Sequence, residues 1–163
     1  MNNRDPFRAY FGYERKGSFL IEKDTIRLLR ECDAGVKMGV DSIDSVIDRV
    51  KSHRLKSHLN RCKDEHEKLR REIQNSLDRF GDDGKEPSLM ATGMAHMKTN
   101  MKLLKDPTDN TIADLMTDGC NMGVKSLNKY LNEYKAADEN TKDITKRLIN
   151  LEEKLAVDMR DFL

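Results

Sequence analysis

The sequence has no tryptophan, only three prolines and 6% aromatic residues among its 163 positions. This shortage of aromatic side chains disfavours a β-sandwich, whose strands are usually rich in them. No apolar run approaches the roughly 20 residues of a membrane-spanning helix, and the first residues lack the apolar stretch of a secretory signal. Charge of one sign is not in excess either, because 30 basic and 29 acidic side chains leave a net charge of +1. The sequence therefore predicts no membrane contact and disfavours nucleic-acid binding.

Cysteine is also scarce, with Cys32, Cys62 and Cys120 spread widely along the chain. An odd number at such spacing argues against a disulfide framework. Each cysteine falls on or beside an apolar helical stripe, so we interpret all three as buried, reduced thiols of a cytoplasmic protein. A metal-binding or redox role is the alternative.

Long stretches without proline leave room for four long amphipathic helices. The predicted helices run from about Asp24 (as N-cap) to Lys51, from Ser52 to about Phe80, from about Asn110 to Lys135, and from about Thr141 to the end. A shorter helix is expected over residues 88–105. The predicted fold is all-α: an antiparallel four-helix bundle with a short extra helix between the second and third long helices. We expect residues 1–20 to form an arm, flexible or docked on a neighbour, and residues 21–163 to form one bundle.

Apolar residues at steps of three and four mark the inward face of each long helix. The second helix has the clearest pattern: Leu55, Leu59, Cys62, His66, Leu69, Ile73, Leu77 and Phe80. The pattern of the third helix is Ile112, Leu115, Gly119, Met122 or Gly123, Ser126, Tyr130 and Tyr134. The fourth helix repeats Ile144, Leu148, Leu151, Leu155, Met159 and Phe162.

Two segments of the chain resemble each other at an offset of 84 residues. Residues 35–42 and 119–126 read GVKMGVDS and GCNMGVKS, which agree at five of eight positions. A shorter match of residues 67–69 with 153–155 lies at an offset of 86. These matches indicate two similar helical hairpins, and chance similarity between amphipathic helices is the alternative.

Each repeated segment holds two glycines four residues apart, Gly35 and Gly39 in the first and Gly119 and Gly123 in the second. A glycine inside a helix costs about 1 kcal/mol relative to alanine, so four at matched positions need a packing reason. We expect the first and third helices to cross closely at these glycines. A ligand pressed against the backbone is the alternative.

Two tandem helical hairpins of this kind resemble the ferritin-like superfamily and, more narrowly, an uncharacterised bacterial family of ferritin-like domains. The resemblance covers about residues 24–163 and implies a four-helix bundle. It is carried by the glycine-containing middle of the first helix, the core histidine in Cys62-xxx-His66-xx-Leu69, the segment GMAHM at 93–97 before Leu103-Leu104, and the stretch from Cys120 to Tyr130.

The metal ligands of that superfamily are incomplete in this sequence. Its active di-iron members place a glutamate on two helices and a Glu-x-x-His motif on the other two. Here Lys63 stands three residues before His66, and the fourth helix has Glu152 where the repeat would match His66. We predict that His66 is a core histidine hydrogen-bonded to Glu152. The alternative is a single divalent cation, iron or another metal, held by His66, Glu152 and either Glu31 or Asp118.

Two further segments leave alternatives open. Met90, Met94, Met97 and Met101 follow helical spacing with His96 alongside, which fits a Cu(I) site or a plain apolar face for packing or partner binding. The N-terminal arm interleaves basic and aromatic residues. That pattern fits stacking on nucleotides or docking of the aromatic side chains on the bundle or on a second subunit.

These observations favour a non-catalytic ferritin-like bundle that acts through protein–protein contact, as a homodimer or with another protein. No nucleophile or phosphate-binding loop accompanies His66 in the sequence, so we expect no catalytic residues and no cofactor. The alternative is a metal-binding protein with a reduced site around His66 and Glu152.

Overall fold

A computed structural model describes the backbone of residues 6–88 and 98–163 and the side chains of residues 17–88 and 98–163. The elements are α1 (Pro6–Asp44), a 3₁₀ turn (Ile47–Arg49), α2 (His53–Asp78), α3 (residues 98–105), α4 (Asp109–Glu133), α5 (Glu139–Met159) and a last 3₁₀ turn (Arg160–Phe162). These described ranges contain no β-strand, which confirms the all-α prediction. Part of the predicted short helix is present as α3, whereas Met90, Met94, His96 and Met97 lie outside the described residues.

Helix α1 starts much earlier than the sequence predicts, at Pro6 instead of Asp24. Proline is compatible with the first turn of a helix, and no other proline interrupts this stretch. Asp24 caps no helix; its carboxylate accepts a hydrogen bond from the backbone N–H of Ala136 at 3.1 Å. The docking of residues 1–20 on a neighbour stays a prediction.

The same helix ends at Asp44, well before the predicted end at Lys51. The hydroxyl groups of Ser42 and Ser45 donate hydrogen bonds to backbone carbonyls four and three residues earlier. Such bonds compete with the hydrogen-bond ladder of the helix. The chain then continues into the first 3₁₀ turn, Ile47–Arg49.

Helix α2 begins and ends with the caps that its sequence predicts. The Ser52 hydroxyl accepts a hydrogen bond from the N–H of Leu55 at 3.2 Å. At the other end Gly81 has a φ of 64°, and the N–H groups of Gly81 and Asp82 bond back to carbonyls of the last turn, as in a Schellman motif. The predicted apolar face is buried from Leu55 to Leu77. Phe80 is an exception at 37% exposed, because it follows the end of the helix.

Helix α4 buries a different face from the predicted one. Thr108 caps it, but Cys120 and Leu127 are buried, whereas Met122 is 69% exposed and Ser126 is exposed. Residues 119–126 include glycine, cysteine, methionine and serine, so the two sides of the helix differ little in hydrophobicity. The sequence therefore indicated only weakly which side is buried. Helix α5 follows the N-cap Asp138, and its predicted face is buried at Ile144, Leu148, Leu155 and Met159.

The core is divided into two apolar clusters along the long helices. One contains Leu28, Leu29, Cys32, Val36, Leu69, Ile73, Leu77, Leu127, Ala137, Ile144, Leu148 and Ile149. The other contains Ile43, Val46, Leu55, Leu59, Cys62, Leu103, Ile112, Ala113, Met116, Cys120, Leu155 and Met159. Helices α1 and α5 each contact the other three long helices. Within the described part of the chain, no helix has the length and apolar character needed to cross a bilayer.

Candidate functional site

His66 on α2 and Glu152 on α5 lie where these helices pass from one apolar cluster to the other. The buried face of α2 runs from Leu59 through Cys62 and His66 to Leu69, so helical periodicity alone brings the imidazole inside. His66 is 1% exposed and Glu152 is 9% exposed. Polar groups buried this deeply need hydrogen-bond partners.

Both ring nitrogens of His66 have an oxygen atom within hydrogen-bonding distance. Nδ1 lies 2.9 Å from the backbone carbonyl oxygen of Cys62, and Nε2 lies 2.8 Å from Oε1 of Glu152. A carbonyl only accepts, so Nδ1 carries a proton; an ionised carboxylate also only accepts, so Nε2 carries one as well. The two distances therefore fit an imidazolium–carboxylate pair. The predicted hydrogen bond between His66 and Glu152 is confirmed.

The pKa of His66 is raised from its usual 6.5 to about 10. Burial, the largest influence, lowers this pKa because it removes water from the cation. The hydrogen bonds to Cys62 and Glu152, together with the negative charge of Glu152, outweigh burial. The raised pKa favours the charged ring, which has no lone pair with which to bind a metal or accept a proton.

Two thiols border this pair. The sulfur of Cys62 lies 3.5 Å from Nδ1 of His66, and Cys120 on α4 is 1% exposed beside Glu152. Burial and then the negative charge of Glu152 raise the pKa of Cys120, and burial raises the pKa of Cys32 to about 12. Cys32 and Cys120 therefore stay protonated and unreactive at neutral pH. The prediction of three buried, unpaired cysteines is confirmed.

Two of the repeated glycines lie against the pair. A Cβ atom at Gly39 would lie 2.6 Å from Nε2 and 2.8 Å from Cδ2 of His66, which is too close for a real contact. A Cβ atom at Gly123 would lie 3.5 Å from Cδ of Glu152, an ordinary van der Waals distance. Helix α1 therefore makes room for the imidazole, and α4 touches the carboxylate.

The predicted close crossing of two helix backbones at these glycines is wrong. The atoms nearest to Gly39 and Gly123 belong to side chains. Gly35 faces leucine side chains at 3.9 and 4.0 Å, and Gly119 faces open space. Only Gly39 and Gly123 adjoin polar side chains from neighbouring helices, a role that the local sequence does not reveal.

The other two predicted metal ligands lie elsewhere, each paired with a lysine. Glu31 accepts hydrogen bonds from Nζ of Lys85 at 2.7 and 2.8 Å, and Asp118 accepts one from Nζ of Lys98 at 2.8 Å. The structure thus brings His66 and Glu152 together but leaves Glu31 and Asp118 apart from them. Over residues 17–88 and 98–163, whose side chains the structure describes, no group of three or more His, Cys, Asp or Glu side chains is arranged to hold a metal ion.

Sequence reasoning missed a second buried carboxylate, Asp33 on α1. Its Oδ2 accepts hydrogen bonds from Nζ of Lys37 and from the backbone N–H of Lys85, both at 2.9 Å. A Cβ atom at Gly84 would collide with this carboxylate, and Gly84 also has a φ of 82°, which favours glycine. Asp33 therefore anchors the loop after α2 to α1. The sequence indicated a turn at Gly84, but it did not indicate that this turn contacts Asp33.

Fold and site together define an all-α protein whose core encloses a histidine–carboxylate pair. A family model described as a domain of unknown function, DUF2383, matches residues 24–133. Since this match covers more than half of the chain, the chain belongs to that family. The matched range includes Gly39, His66 and Gly123 and ends before Glu152. No curated protein and no solved structure matches the chain.

Proposed function

We propose that the protein is a non-catalytic helical bundle of the ferritin-like type that acts through contact with other proteins. The closed pair of His66 and Glu152 carries this proposal, because both imidazole N–H groups donate to oxygen atoms of the same chain. A histidine in this state supports packing and offers nothing to a substrate. We therefore assign the function of the protein to contacts that its surface makes with other proteins.

An antiparallel arrangement of the four long helices fits the contacts of α1. Asp24 bonds to Ala136, which follows the end of α4. Arg30 donates two hydrogen bonds to Asp82, which follows the end of α2, at 2.9 and 2.6 Å. The beginning of α1 inside the bundle thus lies beside the ends of α2 and α4, so both of these helices run antiparallel to α1. The start of α4 lies beside the start of α2, so the connection between these two helices crosses the length of the bundle, as in bundles with a long crossover.

The relation between the hairpins α1–α2 and α4–α5 supports the ferritin-like part of the proposal. Gly39 lies against His66 in the first hairpin, and Gly123 lies against Glu152 in the second. The offsets of 84 residues between the glycines and 86 residues between the polar side chains agree with the sequence repeat. We infer two similar hairpins related by a pseudo-two-fold axis.

A di-iron centre of the ferritin-like kind does not fit this core. Such a centre takes a glutamate from each of two helices and a Glu-x-x-His motif from each of the others. Beside the pair, α1 and α4 present Gly39 and Gly123, which offer no side-chain ligand. Lys63 also occupies the position three residues before His66.

The described surface offers apolar side chains to a partner. Those exposed are Phe19, Leu20, Ile21, Phe80, Met101, Leu104, Met122, Val157 and Leu163. The net charge of +1 provides no general attraction to nucleic acid. A second copy of the chain or another protein is therefore the proposed partner, and the unpaired cysteines favour a cytoplasmic location.

Metal binding is the second candidate function, favoured by the closeness of His66 and Glu152. If His66 released a proton, Nε2 and the Glu152 carboxylate could hold one divalent cation, iron or another metal. Glu31 or Asp118 would have to leave its lysine partner to join them. Without that third ligand the site would bind weakly, because His66 and Glu152 alone leave most coordination positions to water.

Elemental analysis distinguishes the two candidates. The protein would be produced in iron-supplemented medium and purified without chelators or a metal-affinity tag, beside His66→Gln and His58→Gln, the latter removing a histidine near the surface of the same helix. We expect far less than one metal ion per chain in all three proteins. A tightly bound ion in the wild type and in His58→Gln that disappears in His66→Gln would overturn the non-catalytic proposal.

A further inference from the structure

The loop that follows α2 lies against α1 and contains no apolar side chain. Residues 81–86 read GDDGKE, so burial of apolar side chains does not hold this loop in place. Three of its side chains instead form ion pairs with α1: Asp82 with Arg30, Lys85 with Glu31, and Glu86 with Lys37. The loop is therefore fixed to α1 by charges and hydrogen bonds.

The carboxylate of Asp33 lies beneath this loop and is fully buried. Its Oδ2 atom accepts the hydrogen bond from the N–H of Lys85, whereas its Oδ1 atom is buried without a hydrogen-bond partner among the described residues. An unsatisfied carboxylate oxygen costs free energy, because the water that would solvate it has been removed. Opening of the loop would let water reach Oδ1 and would relieve this cost.

We propose that residues 81–86 form a latch that opens from α1 while the four long helices stay folded, and that rising ionic strength shifts the latch towards its open state. The ion pairs that close it reach the solvent, since the side chains of Arg30 and Lys85 are 48% and 45% exposed. Salt screens such charges, because the Debye length falls to about 3 Å at about 1 M. The apolar clusters that hold the long helices together do not depend on these charges.

Opening of the latch changes the surface that α1 presents. Arg30, Glu31 and Lys37 lose their partners in the loop, and Asp33 becomes accessible to solvent. A strip of four charged side chains on α1 is thus covered in the closed state and uncovered in the open state. This device goes beyond the protein-contact function proposed above, because it regulates which charges of α1 are accessible and does not involve the exposed apolar side chains.

Amide hydrogen exchange of the full chain, followed by NMR at constant pH, tests the latch. The N–H of Lys85 is the reporter, because it is protected while it donates its hydrogen bond to Asp33. Between about 50 mM and about 1 M NaCl, we expect its exchange rate to rise at least about tenfold. The N–H groups of Leu69 and Ile73 in the core of α2 should change by less than about twofold, because they exchange only through larger unfolding events.

Asp82→Asn removes one charge that closes the latch. At low salt it should raise the exchange rate of the Lys85 N–H at least about fivefold, and added salt should then have a smaller effect than in the wild type. Asp83→Asn is the matched control, because it makes the same change at the neighbouring position, where the carboxylate is exposed and forms none of the ion pairs with α1. This control should change the exchange rate by less than about twofold.

Three results would overturn the inference. If the Lys85 N–H exchanges at the same rate as the N–H groups of Leu69 and Ile73, the loop opens only when the bundle unfolds. If its exchange rate does not respond to salt, charges do not control the latch. Equal effects of Asp82→Asn and Asp83→Asn would show that the ion pair with Arg30 does not close it. The protein-contact function is tested separately, by the metal analysis.

Discussion

The hairpins α1–α2 and α4–α5 each bring a buried polar side chain close to a glycine. In the first, Gly39 admits the imidazole of His66; in the second, Gly123 lies against the carboxylate of Glu152. The two fits are unequal. A Cβ atom would lie 2.6 Å from the imidazole but 3.5 Å from the carboxylate, so the first hairpin depends more strongly on its glycine.

This difference gives the two hairpins opposite charges at the surface where they meet. Each hairpin alone would bury one unpaired polar side chain at a considerable cost in free energy. Together, His66 and Glu152 satisfy each other across α2 and α5 at 2.8 Å. We infer that the pair favours this one packing of the hairpins over alternatives that would separate the two side chains.

Removing one member of the pair should have the largest effect. His66→Leu leaves the Glu152 carboxylate buried without its cation and should lower the free energy of unfolding by about 3–5 kcal/mol. Glu152→Leu should cost less, about 1–3 kcal/mol, because the imidazole can release a proton and become neutral. Urea unfolding followed by circular dichroism measures both. Losses below about 0.5 kcal/mol, as for ordinary surface substitutions, would show that the pair is unimportant for the fold.

The stability of the wild-type protein should fall as the pH rises from about 6.5 to about 10. The pKa of His66 is about 10 in the folded chain, above the value of 6.5 for an exposed histidine, so the folded state holds an extra proton in this window. Its contribution is complete below pH 6.5 and is lost as the pH rises through 10, at up to about 1.4 kcal/mol per pH unit.

The urea midpoint measured against pH tests this expectation. A variant with leucine at both positions 66 and 152 is the reference, because it lacks the pair and keeps all other titratable side chains of the wild type. Parallel curves for the two proteins would contradict a raised pKa of His66.

The unequal fit of the two glycines predicts unequal effects of alanine. Gly39→Ala should destabilise the protein by about 1–3 kcal/mol, because its Cβ atom must displace the imidazole. Gly123→Ala in the second hairpin should be neutral or stabilising by up to about 1 kcal/mol through better helix propensity. Thermal unfolding of the two variants side by side makes the comparison. Equal losses of stability in the two variants would mean that α4 packs as tightly at Gly123 as α1 does at Gly39.

The smallest effect is expected at Gly119, whose Cβ position faces open space. Gly119→Ala should stabilise the protein by about 0.5–1 kcal/mol, because alanine loses less conformational entropy in a helix. The melting temperature should rise by a few degrees for a domain of this size. A lower melting temperature would indicate that another chain contacts α4 there.

The sequence was most informative where leucines contrast sharply with charged residues. Helix α2 is such a case, and its buried face, its N-cap and its terminal glycine motif agree with the predictions. The offset of the repeat also aligned Glu152 with His66, and these two side chains meet in the structure. Periodicity therefore sufficed to place His66 in the core, and the expected partner Glu152 is the one that the structure shows.

Other features depended on contacts that no local pattern encodes. The early start of α1 was missed because residues 6–23 mix charged and aromatic residues on all sides and show no single apolar face. The face of α4 was misassigned because glycine, methionine, cysteine and serine differ little in their preference for the core. The roles of Gly39 and Asp33 follow from side chains and loops contributed by α2, so they require the tertiary structure.

A double-mutant cycle tests most directly whether His66 and Glu152 form a closed structural unit. Urea unfolding would compare the wild type, His66→Leu, Glu152→Leu and the double variant. We predict that the double variant folds cooperatively, is more stable than His66→Leu, and gives a coupling energy of about 2 kcal/mol or more. If the losses in the free energy of unfolding of the two single variants add up to that of the double variant to within about 0.5 kcal/mol, this account is contradicted.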